Sequence, residues 1–211
     1  MEAIKVMSVR DQVVNILRES ILTNEFKANE RLDLDSLSKK MGVSITPIRE
    51  ALQILEQEGL IQMKPRKGAI VCSIDADYVR DYYMVRIALE CAAAQFACEG
   101  DSDLSEIEAS FKQMQEVIQK NDSKNYAQQN YLFHKAIWEA AGSARLENML
   151  KSVWIGRSLG VSYDVEENAQ VSFHEHEKIL KAILNRDGKL AYDMMRKHLE
   201  RSMKDVMTHY E

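Results

Sequence analysis

The sequence predicts a mainly α-helical protein, an N-terminal winged helix-turn-helix followed by a C-terminal all-α antiparallel helix bundle. Three observations carry this. Residues 42–59, GVSITPIREALQILEQEG, put a glycine turn and a serine before apolar residues at helical spacing. Residues 60–72 read as two short strands around a basic tip, Lys64-Pro65-Arg66-Lys67-Gly68. From residue 75 onward helical periodicity persists, and the 2 prolines, Pro47 and Pro65, both lie in the first third of the chain. A length of 211 residues is enough for two cores. The expected domains are 1–73 and 74–211, meeting where strand chemistry gives way to helical periodicity at 73–77.

In the first part, residues 6–23 form an amphipathic helix with Val13, Ile16, Leu17 and Ile21 on its apolar side. Residues 24–31 are expected to be a polar loop and 34–41 the first helix of the motif. Gly42-Val43 makes the turn and Ser44 is placed to cap the second helix. Pro47 falls in its first turn, where a missing N–H costs no intrahelical bond. Ile48, Leu52 and Leu55 make one buried stripe, while Thr46, Arg49 and Gln53 point outward. Gly59 ends the helix. An ordinary capped helix packed on a hairpin would share this outline. The wing tip favours a DNA reader, because Lys64, Arg66 and Lys67 beside Gly68 suit phosphate and serve no core.

In the second part six helices are expected, at about 75–99, 104–119, 124–141, 144–163, 169–185 and 189–210, joined by short turns as in an antiparallel bundle. The first should run through Val79, Tyr83, Ile87 and Cys91. Cys72, Cys91 and Cys98 lack metal-ligand spacing and read as reduced core thiols. No apolar run approaches a membrane span and no signal-peptide core is present, so the expected location is cytoplasmic. The net charge of −5 argues against indiscriminate coating of nucleic acid. Residues 1–73 hold 11 Lys or Arg against 10 Asp or Glu. Affinity for DNA must therefore come from a local patch (Lys39, Lys40, Arg49, Lys64, Arg66, Lys67) presented twice by a dimer.

The run from Leu32 to Val71 resembles the winged-helix domain of the GntR family of bacterial transcription regulators. The matching positions are Leu37, Ser38, Met41 to Ser44, Thr46 to Leu52, Leu55, Glu56 and Glu58 to Ile61. The resemblance implies DNA binding through Ser44, Thr46, Arg49, Gln53, Lys64, Arg66, Lys67 and Gly68. Ile45 stands where the family usually has arginine, which removes one contact and alters the operator expected.

Among the 5 histidines, His134 falls on the third bundle helix, His174 and His176 on the fifth, and His198 and His209 on the sixth. Asn130 precedes His134 by one turn, ~6 Å along the axis. With inward faces, Asn130, His134, His176 and His198 can meet in the bundle centre, where imidazoles from separate helices build metal sites. Hydrogen-bonded core histidines are the plainer alternative. The segments around Asn130 to His134, Glu175 to Ile183 and Arg196 to Leu199 resemble the metal-ligand segments of the FadR-type C-terminal domain, in its VanR-like six-helix form. That resemblance implies a divalent transition metal, zinc first, with nickel and manganese as alternatives. Asn130 replaces the family's usual aspartate, so the ion should be held less tightly unless an anionic effector completes its coordination. His174 and His209 do not match the ligand pattern and read as surface or boundary residues.

Arg86, in Arg86-Ile87-Ala88-Leu89-Glu90, resembles the family's Arg-x-x-Leu-Glu segment, where the arginine can hold an effector carboxylate. A helical salt bridge with Glu90 is the alternative. Together the resemblances imply a repressor that binds a pseudo-palindromic double-stranded operator as a homodimer and is released by a small carboxylate or sugar acid. The rivals are a metal-dependent enzyme using the three histidines with Glu175 or Glu177 as base, a regulator sensing the ion itself, and a metal-free regulator.

Overall fold

The computed structural model describes residues 7–64, 68–154 and 165–208. The chain divides into two compact units, Met1–Asp75 and Ala76–Glu211, the junction falling within the stretch expected to change from strand to helix.

In the first unit α1 (Val9–Leu22) starts at Ser8, whose hydroxyl accepts from the Asp11 amide. Its buried face is Val13, Val14, Leu17, Ser20, Ile21 and Leu22. Ile16, expected in that stripe, is 52% exposed. Residues 13, 17 and 21 define the face, and position 16 lies about 100° round the helix from its centre at 17. The expected loop at 24–31 ends in a short strand, β1 (Arg31–Leu32), hidden in sequence by its length of 2 residues. α2 (Leu34–Met41) is capped by Asp33 and closed by Gly42 in the left-handed region at φ 68°. The turn into α3 (Ile45–Gln57) is held by the Ser38 hydroxyl, which donates to the Val43 carbonyl at 2.6 Å. α3 buries Ile48, Ala51, Leu52 and Leu55.

β2 (Ile61–Lys64) and β3 (Gly68–Val71) pair antiparallel, Ile61 facing Val71 and Lys64 facing Gly68. β1 pairs with the other edge of β3, giving the order β1-β3-β2. Two side chains tie these parts together. Arg18 of α1 grips Glu58 at the end of α3 through Nε and Nη2, at 2.9 and 2.6 Å, and the Glu56 carboxylate accepts from the Met63 amide at 2.7 Å.

The second unit is helical among the described residues: α4 (Ala76–Phe96), α5 (Ser105–Gln119), α6 (Ser123–Ala140), α7 (Ala144–Val153), α8 (Val165–Leu184) and α9 (Gly188–Met207). Asp122, Ser143 and Asp187 cap the starts of α6, α7 and α9. α4 packs along α9, α5 on α6 and α8, and α8 on α9. The core is built around Phe133, Ile137, Trp138, Ile107, Met114, Ile183 and Met195. α7 was expected to reach 163. It ends at Val153, with Trp154 extended at ψ 94°, and residues 155–164 lie outside the described ones. Cys91 and Cys98 are free and buried, while Cys72, at the end of the wing, is only half-buried. Among the described residues no helix is long and apolar enough to cross a membrane.

Candidate functional site

Helical spacing sets the outward face of α3. Thr46, Arg49 and Gln53 lie at intervals of three and four residues, and all three are exposed, opposite the buried stripe. Ser44 takes the N-cap position with extended backbone, but its side chain makes no capping hydrogen bond. The hydroxyl and the first amides of α3 are thus not closed on each other, which suits an anion at a helix start. Between α3, the start of α2 and the wing lies a groove of 450 Å³ lined by Arg31, Asp33, Asp35, Arg49, Met63 and Lys64 among others. Arg49 and Lys64 therefore share one surface. Arg66 and Lys67 lie outside the described residues.

Gly68 has a structural duty beside the DNA contact expected of it. Its φ is +80°, and a Cβ there would stand 2.2 Å from the Leu32 carbonyl oxygen. Only glycine lets β1 approach the wing this closely.

In the second unit His134 from α6, His176 from α8 and His198 from α9 converge, each buried. His176 Nε2 lies 3.2 Å from His134 Nε2 and 3.2 Å from His198 Nε2. One N–H on His176 cannot satisfy both neighbours. Tetrahedral zinc with bonds of about 2.0–2.1 Å sets its nitrogens about 3.3 Å apart, so the donor set fits a transition ion. Asn130, one turn before His134, is half-buried on α6. His174 is exposed, and His209 lies outside the described residues.

Carboxylates fix two of the imidazoles. Glu90 Oε2 meets His134 Nδ1 at 2.5 Å and Trp138 Nε1 at 3.4 Å. Glu175 Oε2 meets His198 Nδ1 at 2.7 Å. With Nδ1–H donating to carboxylate, the Nε2 lone pairs of His134 and His198 face the centre. His176 Nδ1 is buried without a hydrogen-bond partner among the described residues.

Each carboxylate is held in turn by an arginine. Arg86 donates from Nε and Nη2 to Glu90 Oε1 at 2.7 and 2.6 Å, and its guanidinium carbon lies 4.2 Å from the Trp154 ring centroid. Arg86 is thus engaged in the salt bridge that its spacing from Glu90 allowed. Burial drives the Glu90 carboxyl upward, but Arg86 and His134 outweigh it and hold it at about 2. Burial, then the neighbouring imidazoles, pushes His176 well below the usual histidine value. Burial also lowers His198, to about 4, against the opposing hydrogen bond from Glu175. Neutral imidazoles are the form that binds metal.

Glu90 and Glu175 were not expected as partners of the histidines. The signal for Glu90 lay in α4, whose buried residues are Val79, Tyr83, Arg86, Glu90, Cys91, Ala93 and Ala94. Of the expected run, Val79, Tyr83 and Cys91 are buried and Ile87 is half-buried. Arg86 and Glu90 are two charges buried among these residues.

Comparison with known proteins follows the same division. Residues 9–71 match the family model of bacterial regulatory proteins, gntR family, and residues 81–201 match that of the FCD domain. An uncharacterised HTH-type transcriptional regulator of Bacillus subtilis, YdhC, is 28% identical over 186 residues, 85% of this chain and 83% of that protein. The HTH-type transcriptional repressor RspR of Escherichia coli is 27% identical over 204 residues, covering 94% and 89%. The structure of McbR/YncC from E. coli superposes with a TM-score of 0.76 at 22% identity, over 98% of this chain and 100% of that one, and so shares the fold.

Proposed function

The chain belongs to the GntR family of bacterial regulatory proteins and carries an FCD domain, and on that premise we propose a repressor whose operator binding is controlled by a small organic acid bound beside a metal ion. DNA-binding transcription regulation is the function of the family, and the relatives named above are regulators rather than enzymes. In the proposed reading residues 1–73 read the operator and residues 74–211 bind effector and pair with a second copy. The near balance of charge in the first part supports two readers on a pseudo-palindromic site. Ser44, Thr46, Arg49 and Gln53 enter the major groove while Lys64, Arg66, Lys67 and the Gly68 backbone meet phosphate. RspR, named as a repressor, supports that sign of regulation. The protein works in the cytoplasm, where its operator is.

The observation that carries the metal half of the proposal is the convergence of three buried imidazole nitrogens. His134, His176 and His198 would hold zinc, with the Asn130 carbonyl as a neutral fourth donor. Such an ion supplies a positive centre for a carboxylate. Three imidazoles and an amide leave its charge uncompensated, so an anionic effector strengthens metal binding and is strengthened by it. Arg86 faces the same centre from α4 through Glu90 and offers its remaining N–H groups to the effector. Equilibrium dialysis of zinc with and without a panel of small carboxylates and sugar acids tests this. Stoichiometric zinc, bound more tightly with one of the acids, is expected; metal affinity indifferent to every acid, or absent altogether, overturns it.

A further inference from the structure

Arg201, on α9, is one turn beyond His198 and takes no part in the ligand set. Its side chain is nevertheless fully committed. Nε donates to both oxygens of Glu175, at 2.9 and 3.0 Å, and Nη2 donates to Glu175 Oε2 at 2.8 Å and to Ser172 Oγ at 2.7 Å. Nη1 pairs with Asp205 on the same helix. The Glu175 oxygen so gripped is the one that receives His198 Nδ1. The sequence Arg201, Glu175, His198 repeats, from other helices, the sequence Arg86, Glu90, His134. A carboxylate with two free rotamers would leave the tautomer of its histidine undetermined, whereas a forked guanidinium fixes the plane and direction of both lone pairs.

We propose that Arg201 is a positioning residue of the three-histidine centre, orienting Glu175 so that His198 is kept as its Nδ1–H tautomer with the Nε2 lone pair aimed at the ion, in parallel with Arg86 acting through Glu90 on His134. His176, with no such relay among the described residues, is the one imidazole of the three whose tautomer is set by the ion itself. Arg201 thereby contributes to metal affinity without touching metal. The inference rests on the metal reading above, but its tautomer half concerns the metal-free protein and stands or falls separately.

The test compares the full chain with Arg201→Met, Arg201→Lys and, as a control, Arg196→Met, which removes an exposed arginine paired with Glu200 on the same helix. Long-range ¹⁵N–¹H spectra of the metal-free proteins read the tautomer of His198, and competition with a chromogenic chelator reads the affinity for Zn²⁺. The parent and Arg196→Met should show the Nδ1–H form. Arg201→Met should show a tautomer mixture and bind zinc about 10- to 100-fold more weakly, with Arg201→Lys between them because it keeps charge but not the fork. An unchanged His198 tautomer in Arg201→Met overturns the proposal, as does a loss shared equally by Arg196→Met. If Arg201→Met does not fold, Arg201→Lys decides by the same two readouts. Failure of the parent to bind zinc would overturn the metal reading while leaving the tautomer result to judge Arg201.

Discussion

Helix α3, proposed to face DNA, and the histidine centre obtain their geometry in opposite ways. On α3 the side chains proposed to read DNA, Thr46, Arg49 and Gln53, are exposed, and their mutual placement follows from helical spacing within 13 residues. At the centre the side chains are buried and come from α4, α6, α8 and α9, so only the packed bundle brings them together. A surface reader tolerates substitution as far as folding is concerned and pays in recognition alone. A buried polar centre couples stability to function, because its charges are satisfied by specific partners and expensive without them.

The largest effect should therefore fall at the centre. Glu90→Gln leaves the Arg86 guanidinium, 8% exposed, without its counter-charge, and removing one member of a buried pair costs about 3–5 kcal/mol. Both tryptophans, Trp138 and Trp154, lie in the second unit, so urea unfolding followed by tryptophan fluorescence isolates this loss. A midpoint within error of the parent would show that the Arg86–Glu90 pair is not the keystone assumed.

Arg49→Ala is the counterpart on the surface. Its side chain is exposed on α3, so amide exchange of the buried α3 residues Ile48, Leu52 and Leu55 should not change. Operator affinity should fall by about 1–3 kcal/mol for each half-site, the worth of a good arginine contact to a base, with metal content and dimerisation intact. Electrophoretic mobility shift on the operator and on an unrelated duplex separates the outcomes. Equal loss on both duplexes would make Arg49 a phosphate contact, and no loss would displace α3 as the reader.

This contrast also governs how much was legible in the sequence. α2 and the face of α3 could be read because Gly42, Ser44, Pro47 and the Ile48-Leu52-Leu55 spacing are local signals. The six bundle helices were legible for the same reason, from helical periodicity broken by the polar turns at 100–103 and 186–188 and by Gly142. Helix placement allowed the three histidines to meet, but only resemblance chose them as ligands over core histidines, since their separations of 42 and 22 residues carry no local pattern. Their carboxylate partners were missed because a glutamate on a helix is ordinarily a solvent-facing residue. Glu90 is an exception, fully buried beside Cys91 on α4. β1 was missed because its pairing with β3 comes from Gly68, across 36 residues, and not from its own two residues.

That dependence can be broken selectively. Gly68→Ala places a Cβ against the Leu32 carbonyl and asks an L residue to hold φ +80°, a conformation costing about 1–2 kcal/mol before the clash is counted. Amide exchange at Leu32 and Ala69 should accelerate as the β1–β3 pairing loosens, while tryptophan fluorescence and zinc affinity stay as in the parent. If exchange were unaffected, the close approach of β1 would not depend on this glycine.

Lys64→Met should have the smallest effect and sharpens the division of labour within the reader. Lys64 lies at the end of β2, opposite Gly68 and in the same groove as Arg49, with Nζ 2.5 Å from Gln62 Oε1. Neither contact holds the unit together, because Gln62 is an exposed neighbour on the same strand. A cation there contributes through released counterions, which gives affinity a salt dependence but no sequence preference. Removing it should reduce the slope of log K against log salt by about 1 for each copy bound and weaken operator and non-operator duplex alike. A loss confined to the operator would instead mean that the wing, and not α3 alone, reads bases.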